Sequence, residues 1–359
     1  MTLVFDDSLL DDPDQLVATD TRGMLRSAAM AGAQTRAVAE TSSEVGLEAA
    51  LTGERPRAVI LLARPGVAPA ACRLLAALVG ASSPVPVVLA ETMPTWVGAL
   101  DVVFAHTDDV GDSVLAESVA LATRRGATVV LSGSDEGPVP DAAGGRATLL
   151  PPRLALPASL SLAHVLAAGA GVLAGLGLLS CDLQQMADEL DGEAERAGPR
   201  RELVENPAKS LAVRLAEHTP LLWGLEPVST AAGAHAAFAL GVHAGIPCRA
   251  ENYAQGASEH ALYRSASSGD DVFADPGEGT RSPRVFLLGA RFDLHAEAGE
   301  HAAVRALPGA DVITPGEAVT DDALLRSALL ATRFELAAIY VALASGTVGG
   351  PDHQALAVH

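Results

Sequence analysis

Ala58-Val59-Ile60-Leu61-Leu62-Ala63, followed by Arg64-Pro65-Gly66 and then Val67–Val79, decides the fold. The first run is rich in branched apolar residues and has strand length. The Arg-Pro-Gly break is a turn signal, and the Ala- and Leu-rich run after it reads as a helix. The same alternation continues outward. Val85–Ala90 and Asp101–Ala105 read as strands, and Asp112–Arg125 as a helix whose acidic start and basic end suit the helix dipole. Ala127–Leu131 reads as a fourth strand, ending at Ser132-Gly133. Strand–helix–strand repetition of this kind predicts parallel βαβ units with helices on both faces.

The second half repeats the rhythm. Pro220–Trp223, Pro247–Ala250, Arg284–Leu288 and Ala310–Ile313 are expected strands; Thr230–Ala244 and His295–Ala306 are expected helices. Thr320 is expected to cap a long helix running through about Leu343, with Asp321 and Asp322 in its first turn. The reading is an α/β chain of two doubly wound halves, residues 1–181 and 211–359. The charged stretch 182–210 joins them and is expected to be a solvated helical linker.

Charge narrows the function classes. The 359 residues carry 24 Lys plus Arg against 44 Asp plus Glu, a formal charge of -20. Such a surface repels phosphate backbones and anionic lipid, so neither nucleic acid nor a membrane surface is expected as a partner. Cys72, Cys181 and Cys248 are far apart and form no CxxC pair, which fits a reducing cytoplasm rather than a disulfide framework or a zinc site. Asp6, Asp7, Asp11 and Asp12 give the start of the chain no resemblance to a secretion signal. Leu154–Cys181 carries no charged side chain, yet its Ala and Gly content, with Pro157 and His164, predicts a buried close-packed helix rather than a membrane span.

Open parallel sheets bind ligands beyond the carboxyl ends of their strands. That directs attention to Arg64–Gly66, Glu91–Thr92, His106–Asp112, Ser132–Ser134, Gly224–Glu226, Glu251–Asn252 and Thr314–Gly316. No dinucleotide fingerprint, phosphate-binding Walker loop, nucleophile elbow or HExxH motif is present, so no cofactor and no metal are expected.

Glu205-Asn206-Pro207-Ala208-Lys209-Ser210-Leu211-Ala212, followed by Pro220-Leu221-Leu222-Trp223-Gly224, resembles the start of the second half of bacterial and archaeal phosphoglucose/phosphomannose isomerases. Those enzymes have the sugar isomerase (SIS) fold. Pro152-Arg153-Leu154-Ala155, the helix containing Glu335–Leu343, and Asp12-Pro13-Asp14 resemble further segments of that family, in order. The resemblance implies two flavodoxin-like SIS subdomains, a small anionic sugar metabolite as ligand and aldose–ketose isomerisation of glucose 6-phosphate or mannose 6-phosphate. It also implies a homodimer, expected here to place the 154–181 helix and the C-terminal helix near its interface.

Carried over residue by residue, the resemblance gives His260 as the ring-opening group and Arg153 as the group polarising the C1–C2 oxygens. The family's proton-transfer glutamate falls on a segment without a carboxylate, Gly241–Gly245, which leaves Glu251 as the candidate base. The phosphate loop aligns with Ala105–Ser113, where only Thr107 and Ser113 keep hydroxyls and Asp108, Asp109 and Asp112 add negative charge. Arg64, His106 and Ser132 complete the expected ligand contacts, and the family's C-terminal lysine has no counterpart after Lys209. These departures support an alternative, a non-catalytic SIS module that binds a phosphosugar or nucleotide sugar and regulates a partner.

Overall fold

The protein is described by a computed structural model over residues 5–259, 261–262, 282–291, 293–316 and 321–348. Helices α1 (Pro13–Thr19), α2 (Met24–Ala28), α3 (Ala31–Glu44) and α4 (Leu47–Leu51) precede the first strand. Strands β1 (Ala58–Ala63), β2 (Val87–Ala90), β3 (Asp101–Thr107), β4 (Thr128–Gly133) and β5 (Ala147–Leu150) then form a parallel sheet of order 2-1-3-4-5. Strands β6 (Thr219–Gly224), β7 (Arg249–Asn252), β8 (Pro283–Leu288) and β9 (Asp311–Ile313) form a second parallel sheet of order 7-6-8-9. Strand order reverses between β1 and β3 in one sheet and at the matching place, between β6 and β8, in the other. The expected pair of doubly wound sheets is therefore present.

Helices α5 (Ala68–Val79), α6 (Ser113–Arg124), α7 (Pro138–Ala142) and α8 (Leu162–Gly175) belong to the first sheet, and α9 (Leu183–Arg196) and α10 (Pro207–Glu217) lead to the second. Helices α11 (Pro227–Ala239), α12 (Tyr253–Ser258), α13 (Leu294–Ala306) and α14 (Ala323–Ala344) complete the chain. Alternate residues of one strand feed different cores, because successive side chains leave opposite faces. Val59 and Leu61 of β1 join a core that continues through Leu222 and Phe286 of the second sheet to Phe334 and Ile339 of α14. Ile60 and Leu62 turn the other way, towards Val103, Val119 and Leu131. On the second sheet Leu221, Trp223 and Leu287 do the same.

The uncharged stretch forms α8, which is almost wholly buried. A Cβ on Gly169 would lie 2.2 Å from Leu75 Cδ1 on α5, so the Leu75 side chain packs into the space that glycine leaves. Among the described residues only α14 is long and apolar enough to cross a bilayer, and its entire apolar window is buried inside the protein. Both helices expected near a subunit interface are thus covered within one chain, because α8 packs on α3, α4 and α5, and α14 on α9, α10 and α11.

Two expectations need correction, and one strand lies beyond those the sequence predicts. The cap of α14 is Asp322, whose carboxylate accepts from the Leu324 and Leu325 N–H groups; Thr320 lies outside the described residues. The linker helix α9 is not simply solvated: Glu193 is fully buried and paired with Arg333 at 2.6 Å and Arg196 at 3.0 Å. The edge strand β5 was not expected at all.

Burial pushes the Cys72 and Cys248 thiols up to about 12 and, with Asp182 nearby, the Cys181 thiol to about 11. None can supply a thiolate nucleophile near neutral pH. Ellman's reagent should label no thiol of the native protein rapidly at mildly alkaline pH and all three after denaturation; one fast native thiol would contradict this.

Candidate functional site

The C-terminal ends of β3 and β4 carry His106-Thr107 and Ser132-Gly133 in register. A cavity of about 430 Å³ opens above them, lined from the sheet by His106, Thr107, Asp108, Gly133 and Ser134 and from the opposite side by Arg153, Ser161 and His164. Gly133 makes the floor possible. Its φ of +145° suits glycine, and a Cβ there would sit 2.6 Å from the Thr107 carbonyl oxygen. Buried Gln34 on α3 donates to the Leu160 carbonyl at 2.9 Å and fixes the turn that starts α8. That turn delivers Ser161 and His164 to the cavity.

Two imidazoles define the chemistry. His106 is 2% exposed and His164 is 4% exposed, and the Nε2 atom of each has no hydrogen-bond partner among the described residues. The His106 Nδ1 lies 3.2 Å from Ser132 Oγ, while its Nε2 lies 3.3 Å from Asp108 Oδ2 without hydrogen-bond alignment. His164 interacts with the Leu150 backbone, and its ring centroid is 6.2 Å from that of His106. Burial pushes the His164 imidazole down to about 4, with neighbouring His106 acting in the same direction. Near neutral pH His164 is uncharged. A donor role for Nδ1 towards the Leu150 carbonyl leaves Nε2 as a bare lone pair, an acceptor suited to a hydroxyl.

The anionic side chains are committed. The Asp112 carboxylate caps α6 by accepting from Leu115 N–H at 2.9 Å and binds Arg64 Nε at 2.7 Å. Asp108 Oδ2 lies 3.3 Å from Ser161 Oγ, beside the start of α8. Arg153 is the only Lys or Arg lining the cavity among the described residues, and it is paired with both Glu40 and Glu44 of α3. A phosphate within about 4 Å of any uncompensated carboxylate meets about 1 kcal/mol of repulsion per unit charge even at water's dielectric constant.

Of the residues expected from the sequence, the structure brings His106, Thr107 and Arg153 into one cavity. Ser132 stands behind His106 as its partner and is 2% exposed. Ser132, His106 and Asp108 follow the order of a hydrolytic triad, but a hydroxyl buried outside the cavity lining cannot attack a substrate. Thr107 Oγ1 is engaged with the Asp109 backbone, and Arg64 is tied to Asp112 and to the Glu91 carbonyl. Exposed Ser113 opens α6 outside the lining. Glu251 is remote from this site. It belongs to a second cavity of about 740 Å³ over β6 and β7, and its carboxylate is 3.3 Å from Arg249. His260 lies outside the described residues.

The second cavity is larger but chemically settled. Glu226 accepts from the Ala290 and Arg291 N–H groups, Thr230 Oγ1 donates to the Glu226 carbonyl, and Asn252 caps α12. Among the described residues it contains no buried polar side-chain atom lacking a partner. The first cavity contains two, and His164 was not foreseen as a site residue. The signal for it was a lone titratable side chain in an uncharged stretch.

No family profile and no curated protein sequence matches the chain. Among solved structures it is similar to a proposed phosphosugar isomerase from Silicibacter pomeroyi DSS-3, with TM-score 0.64, 16% identity and coverage of 90% of this chain and 98% of that one. A proposed phosphosugar isomerase from Bacillus subtilis gives TM-score 0.60 at 14% identity, over 87% of this chain and 95% of that one. The C-terminal domain of glucosamine-fructose-6-phosphate aminotransferase from Francisella tularensis gives 0.57 at 10%, over 90% and 96%. At these identities the likeness is one of fold. The chain therefore has the fold of those phosphosugar isomerase structures, two parallel sheets flanked by helices along nearly its whole length.

Proposed function

We propose that the protein binds a small carbohydrate derivative in the cavity over β3 and β4, as a ligand-binding rather than a catalytic form of the sugar isomerase fold. The observation that carries this reading is the pair of buried imidazoles lining the cavity, His106 and His164, whose Nε2 atoms make no hydrogen bond among the described residues, that of His106 facing the Asp108 carboxylate at 3.3 Å. A buried polar atom without a partner costs about 1–3 kcal/mol, and a sugar hydroxyl is the right size and polarity to satisfy it. Ser134, Asp108 and Ser161 offer further hydroxyl-directed contacts around the same space.

Isomerisation asks for more than binding. A carboxylate must reach a carbon-bound proton while cationic or imidazole groups stabilise the enediolate. Glu251 belongs to the other cavity and Arg153 is neutralised by two glutamates, so neither is free for those roles. One observation favours the isomerase reading: Asp108 is a carboxylate inside the lining.

Calorimetry against hexoses, polyols and hexose phosphates is expected to give saturable binding for at least one compound. A coupled assay on glucose 6-phosphate and mannose 6-phosphate is expected to form no fructose 6-phosphate. Absence of binding across the panel would remove the reading. Turnover that is lost in Asp108→Asn would instead establish an isomerase with Asp108 as its base.

A further inference from the structure

We infer that the ligand of this cavity is an unphosphorylated, uncharged sugar or polyol, and that His164 selects for it. The inference rests on the carbohydrate-binding reading above and adds the ligand's charge class. Three places near the cavity could receive an anion, and a carboxylate of the protein stands at each one.

The first is the N-terminus of α6. Its N–H groups would suit an anion, but the Asp112 carboxylate stands there, accepting from Leu115 N–H and holding Arg64. The second is the N-terminus of the 14-residue α8, where Ser161 makes no side-chain cap hydrogen bond to the first turn. Asp108 stands against Ser161 there, with its Oδ2 3.3 Å from the Ser161 hydroxyl. The third is Arg153, whose guanidinium is shared between Glu40 and Glu44. Counting Arg153 as +1 and Asp108, Glu40 and Glu44 as -1 each, these four groups sum to about -2.

The buried imidazole that lines the cavity points the other way. His164 is neutral near physiological pH because burial opposes its protonation, so it brings no positive charge to the cavity. Its Nε2 is unpartnered in a side chain that lines the space. A bare imidazole nitrogen accepts a hydrogen bond from a hydroxyl but has nothing to offer a fully ionised phosphate. The acceptor demands a hydroxyl donor, and the carboxylates penalise added negative charge, so discrimination against the ester comes from charge.

The test is calorimetry with D-glucose, D-mannose and D-fructose, each against its own 6-phosphate, and with D-glucitol. At least one free sugar should bind about tenfold or more tightly than its phosphate, a difference of about 1.4 kcal/mol. The ratio should grow at low salt, where repulsion is less screened. Glu40→Gln and the double variant Glu40→Gln/Glu44→Gln free Arg153, the cation in the lining, and the double variant should raise affinity for the phosphate ester selectively, by about tenfold. A 6-phosphate that binds more tightly than its parent sugar would overturn the charge assignment while leaving carbohydrate binding intact. An unchanged ratio in the double variant would also overturn it. If neither sugars nor esters bind, the carbohydrate reading itself falls.

Discussion

Lys209→Met is expected to lower the unfolding free energy by about 3–5 kcal/mol, a large part of the roughly 5–15 kcal/mol typical of a folded protein. Lys209 is fully buried, and its ammonium donates to the carbonyls of Leu10 at 2.6 Å, Pro199 at 2.8 Å and Arg201 at 2.9 Å. It therefore ties the N-terminal segment and the linker after α9 to α10. Methionine fills similar volume but leaves three acceptors without their donor, and each such loss costs about 1–3 kcal/mol less whatever water recovers. Chemical denaturation of the two proteins measures the difference. A loss below about 1 kcal/mol would show that the ammonium does not hold the segments together.

Acidification between about pH 6.5 and pH 4 is expected to destabilise the native state by up to about 3 kcal/mol through His164 alone. The imidazole titrates near 6.5 when exposed and near 4 when folded. Between these values the unfolded chain binds the extra proton, so stability falls as pH falls. The contribution is fully present above 6.5, diminishes through the window and is exhausted below 4. Buried His243 is lowered for the same principal reason and acts with the same sign. His164→Phe should flatten the slope of stability against pH without abolishing it, because His243 remains. The same variant should weaken sugar binding about tenfold to a hundredfold by removing the acceptor. A variant with an unchanged slope would contradict the folded-state titration, and one with unchanged affinity would remove His164 from the binding site.

Much of the fold was legible because it depends on local pattern. AVILLA before Arg64-Pro65-Gly66 is a strand buried at its first five positions, and its neighbours across the register were readable for the same reason. β5 escaped because Ala147–Leu150 is four residues long and follows Gly144-Gly145, which gives a periodicity argument little to work on. Threonine and aspartate can both cap a helix, and only backbone geometry singles out Asp322.

The site was less legible, and the family-like motifs help to explain why. Asn206 caps α10 by accepting from Ala208 and Lys209 N–H groups, and Lys209 binds three carbonyls. Glu335 pairs with buried His235 at 2.8 Å, and Tyr340 donates to the Ala197 carbonyl at 2.6 Å. These segments resemble isomerases where the chain holds itself together, and so they carry architecture rather than chemistry. Arg64 and Glu251 looked available in the sequence, but their partners Asp112 and Arg249 are visible only in three dimensions. The converse holds for His164. Composition marked it as one polar residue within a buried helix, and only the structure revealed its unpartnered nitrogen beside a cavity.

The central claim is that a ligand hydroxyl completes the hydrogen bonding of the His164 Nε2. Nitrogen NMR of the protein with labelled histidine, titrated with the tightest-binding sugar of the calorimetric panel, tests it directly. The Nε2 resonance of His164 should begin as an unprotonated lone-pair nitrogen and move towards the hydrogen-bonded range, saturating at the sugar concentration that saturates calorimetry. A His164 resonance that stays still while calorimetry reports a bound sugar would place the ligand elsewhere and contradict the account.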